Sequence, residues 1–252
     1  MYFAGAGVPR NHVQACDLFE TATQRGDPSG TELLADCYFH GDGRAQDYAN
    51  SAKFYSLAGE RGVAVSYCAL GNQYLAGLGV AQDPARAALL CRKSADLGVA
   101  DAETDLGIMY LTGRGVPHDA VQSAQWFQKA SVQGQPNASF LLGGLYWNGD
   151  GVARDHQRAG QLWYRAAIAG SRVAPAPLAA FYYFGAVDQA QHRINADAAI
   201  KAIYWSALAS RVDPNPAKRD SSTKLGGFLL RLDPALKAGE DALLASGHPP
   251  AE

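Results

Sequence analysis

An all-α solenoid of stacked helical hairpins, wound as a right-handed superhelix, is the fold class this sequence predicts, and three observations predict it. A tyrosine recurs at Tyr2, Tyr38, Tyr74, Tyr110, Tyr146 and Tyr182, each step being 36 residues. A glycine follows three residues later at Gly5, Gly41, Gly77, Gly113, Gly149 and Gly185, and a second at Gly7, Gly43, Gly79, Gly115 and Gly151, failing only at Val187. A third series, Gly26, Gly62, Gly98, Gly134 and Gly170, closes each unit. Strict self-similarity at such a period marks units that cannot bury their apolar faces alone and therefore stack.

Within one period the elements follow in order. Leucine stands at Leu34, Leu70, Leu106, Leu142 and Leu178, with a small residue after it (Ala35, Gly71, Gly107, Gly143, Ala179) and the tyrosine four places on. That spacing puts leucine and tyrosine on one face of a first helix. The glycine pair then reverses the chain. Asn11, Asp47, Asp83, Asp119 and Asp155 follow, residues whose side-chain oxygen can accept the free N–H groups opening a second helix. Pro84, directly after Asp83, fits the first helical position. The second helix carries Phe54 and Tyr55, Trp126 and Phe127, or Leu162 and Trp163, then alanine at Ala58, Ala130 and Ala166, and stops at the third glycine.

The pattern L-G-x-x-Y-x-x-G-x-G-V-x-x-D, followed by A-x-x-W-[YF], resembles the Sel1-like repeat family, a relative of the tetratricopeptide repeats. Residues 106–134 match it best, and the resemblance covers about residues 1–213. It divides the chain into a partial leading repeat (1–28), four repeats (29–64, 65–100, 101–136, 137–172), a divergent repeat with an insertion (173–213) and a helical cap (214–252). In the divergent repeat the loop GAVDQAQHRINAD is rebuilt, with Asp197 the expected cap of a displaced second helix. Beyond it, DPNPAKRD is expected to break the pattern. STKLGGFLLRL and DPALKAGEDALLASG read as the two capping helices, the latter opened by Asp233 and Pro234. The chain enters mid-unit, so Asn11–Arg25 is expected to form a second helix whose apolar face calls for an upstream segment, a partner or another copy.

The resemblance implies a protein-binding scaffold or adaptor, in a bacterial cytoplasm or periplasm, and not a fixed chemistry. Composition agrees. A net charge of −2 and only 18% charged residues offer no basic surplus for nucleic acid, and no apolar run reaches the ~18 residues of a membrane helix. The Gly-x-Gly lacks the preceding strand of a dinucleotide fingerprint and the Gly-Lys-Ser/Thr of a Walker loop, so it reads as a turn. His12, His156 and His192 share a register but bring too few ligands together for a metal, and no nucleophile motif occurs. Neither catalytic residues nor a cofactor or metal are therefore expected. Cys16, Cys37 and Cys91 fall at core positions, while Cys68 is expected to be an accessible thiol.

A partner is expected on the first helices. Counting from the leucine at roughly 100° per residue, the positions two before, two after and five after it point away from the stripe. The first two columns supply Glu32, Phe140, Asp36, Asn72 and Ile108. The third is an apolar ladder, Phe3, Phe39, Leu75, Leu111, Trp147 and Tyr183, which either faces a partner or covers the glycine turn and packs on the next unit. Together they suit a protein or peptide with apolar anchors. Two other readings are an accessory cell-wall or β-lactam-processing enzyme, an activity associated with some relatives, and a structural array self-associating through its bare N-terminal face.

Overall fold

The computed structural model describes residues 9–188 and 193–251. Tyr2, Phe3, Gly5, Gly7 and His192 lie outside them. Thirteen α-helices are present among the described residues, with one two-stranded ribbon (β1 Val187–Asp188, β2 Arg193–Ile194). The chain packs as two compact units that meet in sequence at Trp126 and Phe127.

The first unit holds α1 (His12–Gln24), α2 (Pro28–His40), α3 (Tyr48–Glu60), α4 (Ala64–Ala76), α5 (Pro84–Asp96) and α6 (Ala100–Thr112). α2, α4 and α6 are first helices of a repeat, and α1, α3 and α5 are second helices. The heaviest packing is within the hairpins α2–α3 and α4–α5, and α3–α4 and α5–α6 join one hairpin to the next. α7 (Ala120–Val132) runs through the division. The second unit holds α8 (Pro136–Asn148), α9 (His156–Ile168), α10 (Pro175–Ala186), the ribbon, α11 (Ala196–Val212), α12 (Pro216–Leu232) and α13 (Leu236–Ser246).

Local chemistry sets the helix ends where the repeat grammar puts them. Asn11, Asp47, Asp83, Asp119 and Asp155 each accept a hydrogen bond from the backbone N–H three residues on, at 2.9 to 3.0 Å. Among the described residues the first glycine of each pair ends its helix in the left-handed conformation, at φ +75° in Gly41 and +71° in Gly77. The turn is closed by a bond absent from any single helix. The N–H groups of Asp47, Asp83, Asp119 and Asp155 donate to the carbonyls of Tyr38, Tyr74, Tyr110 and Tyr146, each at 2.9 Å.

The leucine series is buried throughout, and so are the small residues beside it. Gly71 and Gly143 let the second helix come close, because a methyl group there would meet Cys91 and the Ala87 carbonyl, or the Trp163 indole. That indole donates to the Phe140 carbonyl at 3.2 Å, tying α9 to α8. The tyrosines are half-buried for a different reason, since each described one has a cation over its ring. Arg44 covers Tyr38, Arg86 covers Tyr74, Arg92 covers Tyr110, Arg158 covers Tyr146 and Lys201 covers Tyr182, at 4.4 to 5.6 Å from the centroid. Each contact contributes about 0.5–1 kcal/mol. These cations stand on second helices or, for Arg44, in the turn before one.

Three boundaries differ from the sequence expectation. Asn195, not Asp197, caps α11, accepting from the Ala198 N–H at 3.1 Å, while Asp197 sits in the first turn and pairs with Lys201 at 3.2 Å. Loop closure decides this, because the Asn195 N–H donates to the Ala186 carbonyl just as the aspartates do to the tyrosines. The segment expected to break the pattern also opens α12, with Asn215 as cap and Pro216 at its first position. Asp233, expected to open the last helix, instead closes α12 and accepts from the Ala235 N–H in the turn, while α13 begins after Ala235 with no side-chain cap. No helix among the described residues is long and apolar enough to cross a membrane.

Candidate functional site

All four cysteines are paired, Cys16 with Cys37 and Cys68 with Cys91, and all four are buried. The expectation of an accessible Cys68 thiol is therefore overturned. Cys68 itself faces the second helix of its own hairpin, where Cys91 lies, and not solvent. The next residue of its column, Thr104, is buried too. The Cys68 and Cys91 sulfurs and an Asp105 carboxylate oxygen lie within 4.8 Å of one another, but both sulfurs are committed to the disulfide and only the carboxylate remains a donor.

The solvent-facing arc of the first helices is rotated from the one reckoned from the leucine stripe. Each first helix touches two second helices. Gln73 on α4 donates to the Tyr48 carbonyl of α3, while Cys68 on the same helix bonds to α5. The covered arc is therefore wider than a simple amphipathic stripe. The positions five and one before the leucine, and two and six after it, make up the open arc, centred near 230° at roughly 100° per residue.

In the first unit that arc carries Leu33, Val65 and Ile108, at 37%, 38% and 37% exposure, together with Asp36, Asn72, Asp101 and Asp105. Asp36, Asn72 and Ile108 belong to a column that the sequence also placed on the outer face, while Leu33, Val65, Asp101 and Asp105 fell outside its columns. The aliphatic residues stand at three different offsets from the leucine, one before it in Leu33, five before in Val65 and two after in Ile108, so no single column of the repeat could have singled them out.

Asp36 accepts a hydrogen bond from the Tyr55 hydroxyl. Burial, and then the charge of Asp36, pushes the Glu32 carboxyl above its ordinary range. Asp105 accepts from the Asn72 amide at 2.9 Å, which joins α4 to α6. Burial raises its pKa most, the Asn72 bond opposes this, and Asp101 adds to the rise. Folding thus raises Asp105 above its ordinary 3.8. The cost of holding it charged is complete above the folded pKa and vanishes as pH falls through the unfolded value. Asp105→Asn keeps an acceptor for Asn72, so the variant is expected to raise the urea midpoint at pH 7 and to lose that advantage below about pH 4. An unchanged midpoint at pH 7 would count against this reading.

The ladder residues are half-buried and pack on their own array. Phe39 meets Tyr48 and Tyr55 at 5.4 and 6.5 Å between ring centroids, and Leu75 lies against the core that contains Cys91, Leu106 and Trp126. Leu111 is half-buried in the same register. In the second unit Trp147 stacks on His156 at 4.3 Å and reaches Trp163 at 5.3 Å and Phe184 at 6.2 Å. Tyr183 meets Phe228 at 6.3 Å, and Phe140 packs beside Trp147 and Trp163. Phe184, 65% exposed, was not expected from the sequence columns.

Among the described residues the repeated hairpin, its capped turn and its glycine stop recur four times in one register. A model of the Sel1 repeat matches residues 1–27, 29–63, 64–99, 100–134 and 136–171. The chain belongs to the Sel1 repeat family. Among solved structures, the protective antigen c5321 of uropathogenic Escherichia coli, which displays an SLR fold, is similar at 25% identity and a TM-score of 0.72. The match covers 96% of this chain but 54% of c5321, so the chain spans about half the length of that relative. A Sel1 repeat protein from Oxalobacter formigenes is similar at 26% identity and a TM-score of 0.65, over 80% of this chain and 87% of that one. The immunity protein Pa5087 from Pseudomonas aeruginosa shares the fold at 21% identity and a TM-score of 0.51, over 92% and 81% of the two chains. Among curated proteins none matches. Sel1 repeat proteins generally mediate protein–protein interaction and are typically non-catalytic scaffolds.

Proposed function

We propose that this chain is a non-catalytic scaffold or adaptor whose first helices form a groove for a peptide or protein partner. The observation that supports this most is the open arc of α2, α4 and α6, where Leu33, Val65 and Ile108 stand exposed among polar side chains that make no nucleophile–base pair. In this reading Ile108 and Asn72 contact the partner directly, Glu32 and Asp36 border it, and Phe39, Leu75 and Leu111 form the flank it rests on. Phe140, Trp147 and Tyr183 belong to a separate aromatic surface on the second unit. The two disulfides support maturation in an oxidising compartment such as the periplasm, because reducing cytosol keeps thiols free.

The test is co-purification from the native host with wild type and with Leu33→Ser/Ile108→Ser. Both sites are exposed, so each change costs within about 0.5 kcal/mol and the variant stays folded. Proteins captured by wild type are expected to fall at least tenfold on the variant. An unchanged captured set at equal thermal stability would remove the groove from this surface.

A further inference from the structure

Charge is segregated between the two kinds of helix. The first helices α2, α4, α6, α8 and α10 contain no lysine or arginine, and their five carboxylates, Glu32, Asp36, Asp101, Glu103 and Asp105, lie in α2 and α6. The second helices hold the cations, Lys53 on α3 and Arg86, Arg92 and Lys93 on α5. Several of these are engaged elsewhere. Arg86 lies over Tyr74, Arg92 over Tyr110 and Lys93 over Tyr67, and Arg44 pairs with Asp17 and Glu20 of α1 at 3.1 and 2.7 Å. Arg86, Arg92 and Lys93 are thus turned toward tyrosine rings and Arg44 toward carboxylates of α1, while Asp36 and Asp105 are bonded to the neutral partners Tyr55 and Asn72.

On this face, and resting on the scaffold reading above, we propose that the first unit selects a partner segment that combines lysine or arginine with large aliphatic residues. One cation would meet Asp36 and Glu32 on α2, a second Asp105 and Asp101 on α6, and aliphatic side chains would cover Leu33, Val65 and Ile108. Phosphate backbones and anionic lipid headgroups carry the wrong sign for such a surface. A desolvated carboxylate kept on an exposed arc at a cost to stability is the kind of residue retained for binding. The rise in the Glu32 and Asp105 carboxyls has burial as its main cause, with a like charge as a further one, and an arriving cation relieves the second.

The decisive experiment pans a random dodecapeptide phage library on the full-length protein. Three variants run in parallel: Glu32→Gln/Asp36→Asn/Asp105→Asn, Leu33→Ser/Ile108→Ser, and Glu60→Gln/Asp96→Asn, which neutralises exposed carboxylates on second helices. Wild type and the Glu60/Asp96 variant are expected to enrich peptides with lysine or arginine at least threefold above library frequency, beside leucine, isoleucine or valine. The Glu32/Asp36/Asp105 variant is expected to lose the basic preference, with its melting temperature at or above wild type. For a synthetic selected peptide, 0.5 M NaCl is expected to weaken binding to wild type about tenfold and to leave the neutralised variant unaffected. Basic enrichment that survives the triple substitution overturns the proposal. Aliphatic enrichment without basic residues also overturns it but leaves the scaffold reading standing. No enrichment over Leu33→Ser/Ile108→Ser overturns both.

Discussion

Reducing the two disulfides is expected to destabilise the first unit by about 6 kcal/mol and to leave the second unchanged. Cys16–Cys37 ties α1 to α2 and Cys68–Cys91 ties α4 to α5, with sequence separations of 21 and 23 residues. Closing a loop of that length removes about 3 kcal/mol of chain entropy from the unfolded state. The two loops do not overlap and share no partner, so their effects add approximately. Against the 5–15 kcal/mol typical of a whole domain, that loss brings a unit built from six short helices close to unfolding. Tryptophan placement makes the experiment readable. Trp126 ends the first unit, whereas Trp147, Trp163 and Trp205 all lie in the second. In urea with reductant, far-ultraviolet circular dichroism is expected to show an early transition that tryptophan fluorescence largely misses. Without reductant the early transition moves upward. Coincident transitions that ignore reductant, or four reactive thiols in the untreated native protein, would overturn it.

The parts of this fold that were legible in sequence are those set by local chemistry. Asp47, Asp83, Asp119 and Asp155 cap helices because a short acceptor beside free N–H groups works wherever it stands, and the buried leucines follow from helical spacing alone. What was illegible depends on distant neighbours. The turn of α4 toward α3 through Gln73 and toward α5 through Cys91 decides which residues of that helix see solvent, and an angular count from its own leucine contains neither contact. Cys68 was misplaced for that reason, and its pairing joins two series with different offsets in the repeat. Asp197 was chosen as cap on residue type, whereas the Asn195 bond to the Ala186 carbonyl depends on how the rebuilt loop closes. The candidate site shares this division. Asp36, Asn72 and Ile108 fell inside the angular estimate, but Leu33, Val65 and Asp105 required the observed rotation.

The second glycine of the turn carries the other large effect. Gly79→Ala is expected to cost on the order of 4 kcal/mol, against about 1 kcal/mol for Gly62→Ala. Both residues have positive φ, +72° and +99°, so an alanine is strained at either. Their surroundings separate them. A methyl group on Gly62 finds open space, whereas one on Gly79 lands on the main chain of Tyr48 and Ala49 at the start of α3. Backbone cannot swing aside like a side-chain tip, so the repeat must shift away from its predecessor or the turn must unwind. The same geometry recurs where Gly43 meets His12 and Gly115 meets Pro84. This glycine therefore spaces one repeat against the previous one, while the first glycine only reverses the chain. Where Val187 replaces it, the turn gives way to the ribbon of β1 and β2 and no longer follows the common register. Urea unfolding of the two alanine variants, followed by circular dichroism, compares strain alone with strain plus main-chain overlap. Equal losses at the two sites would show that φ accounts for the whole effect and that the turn does not set the repeat spacing.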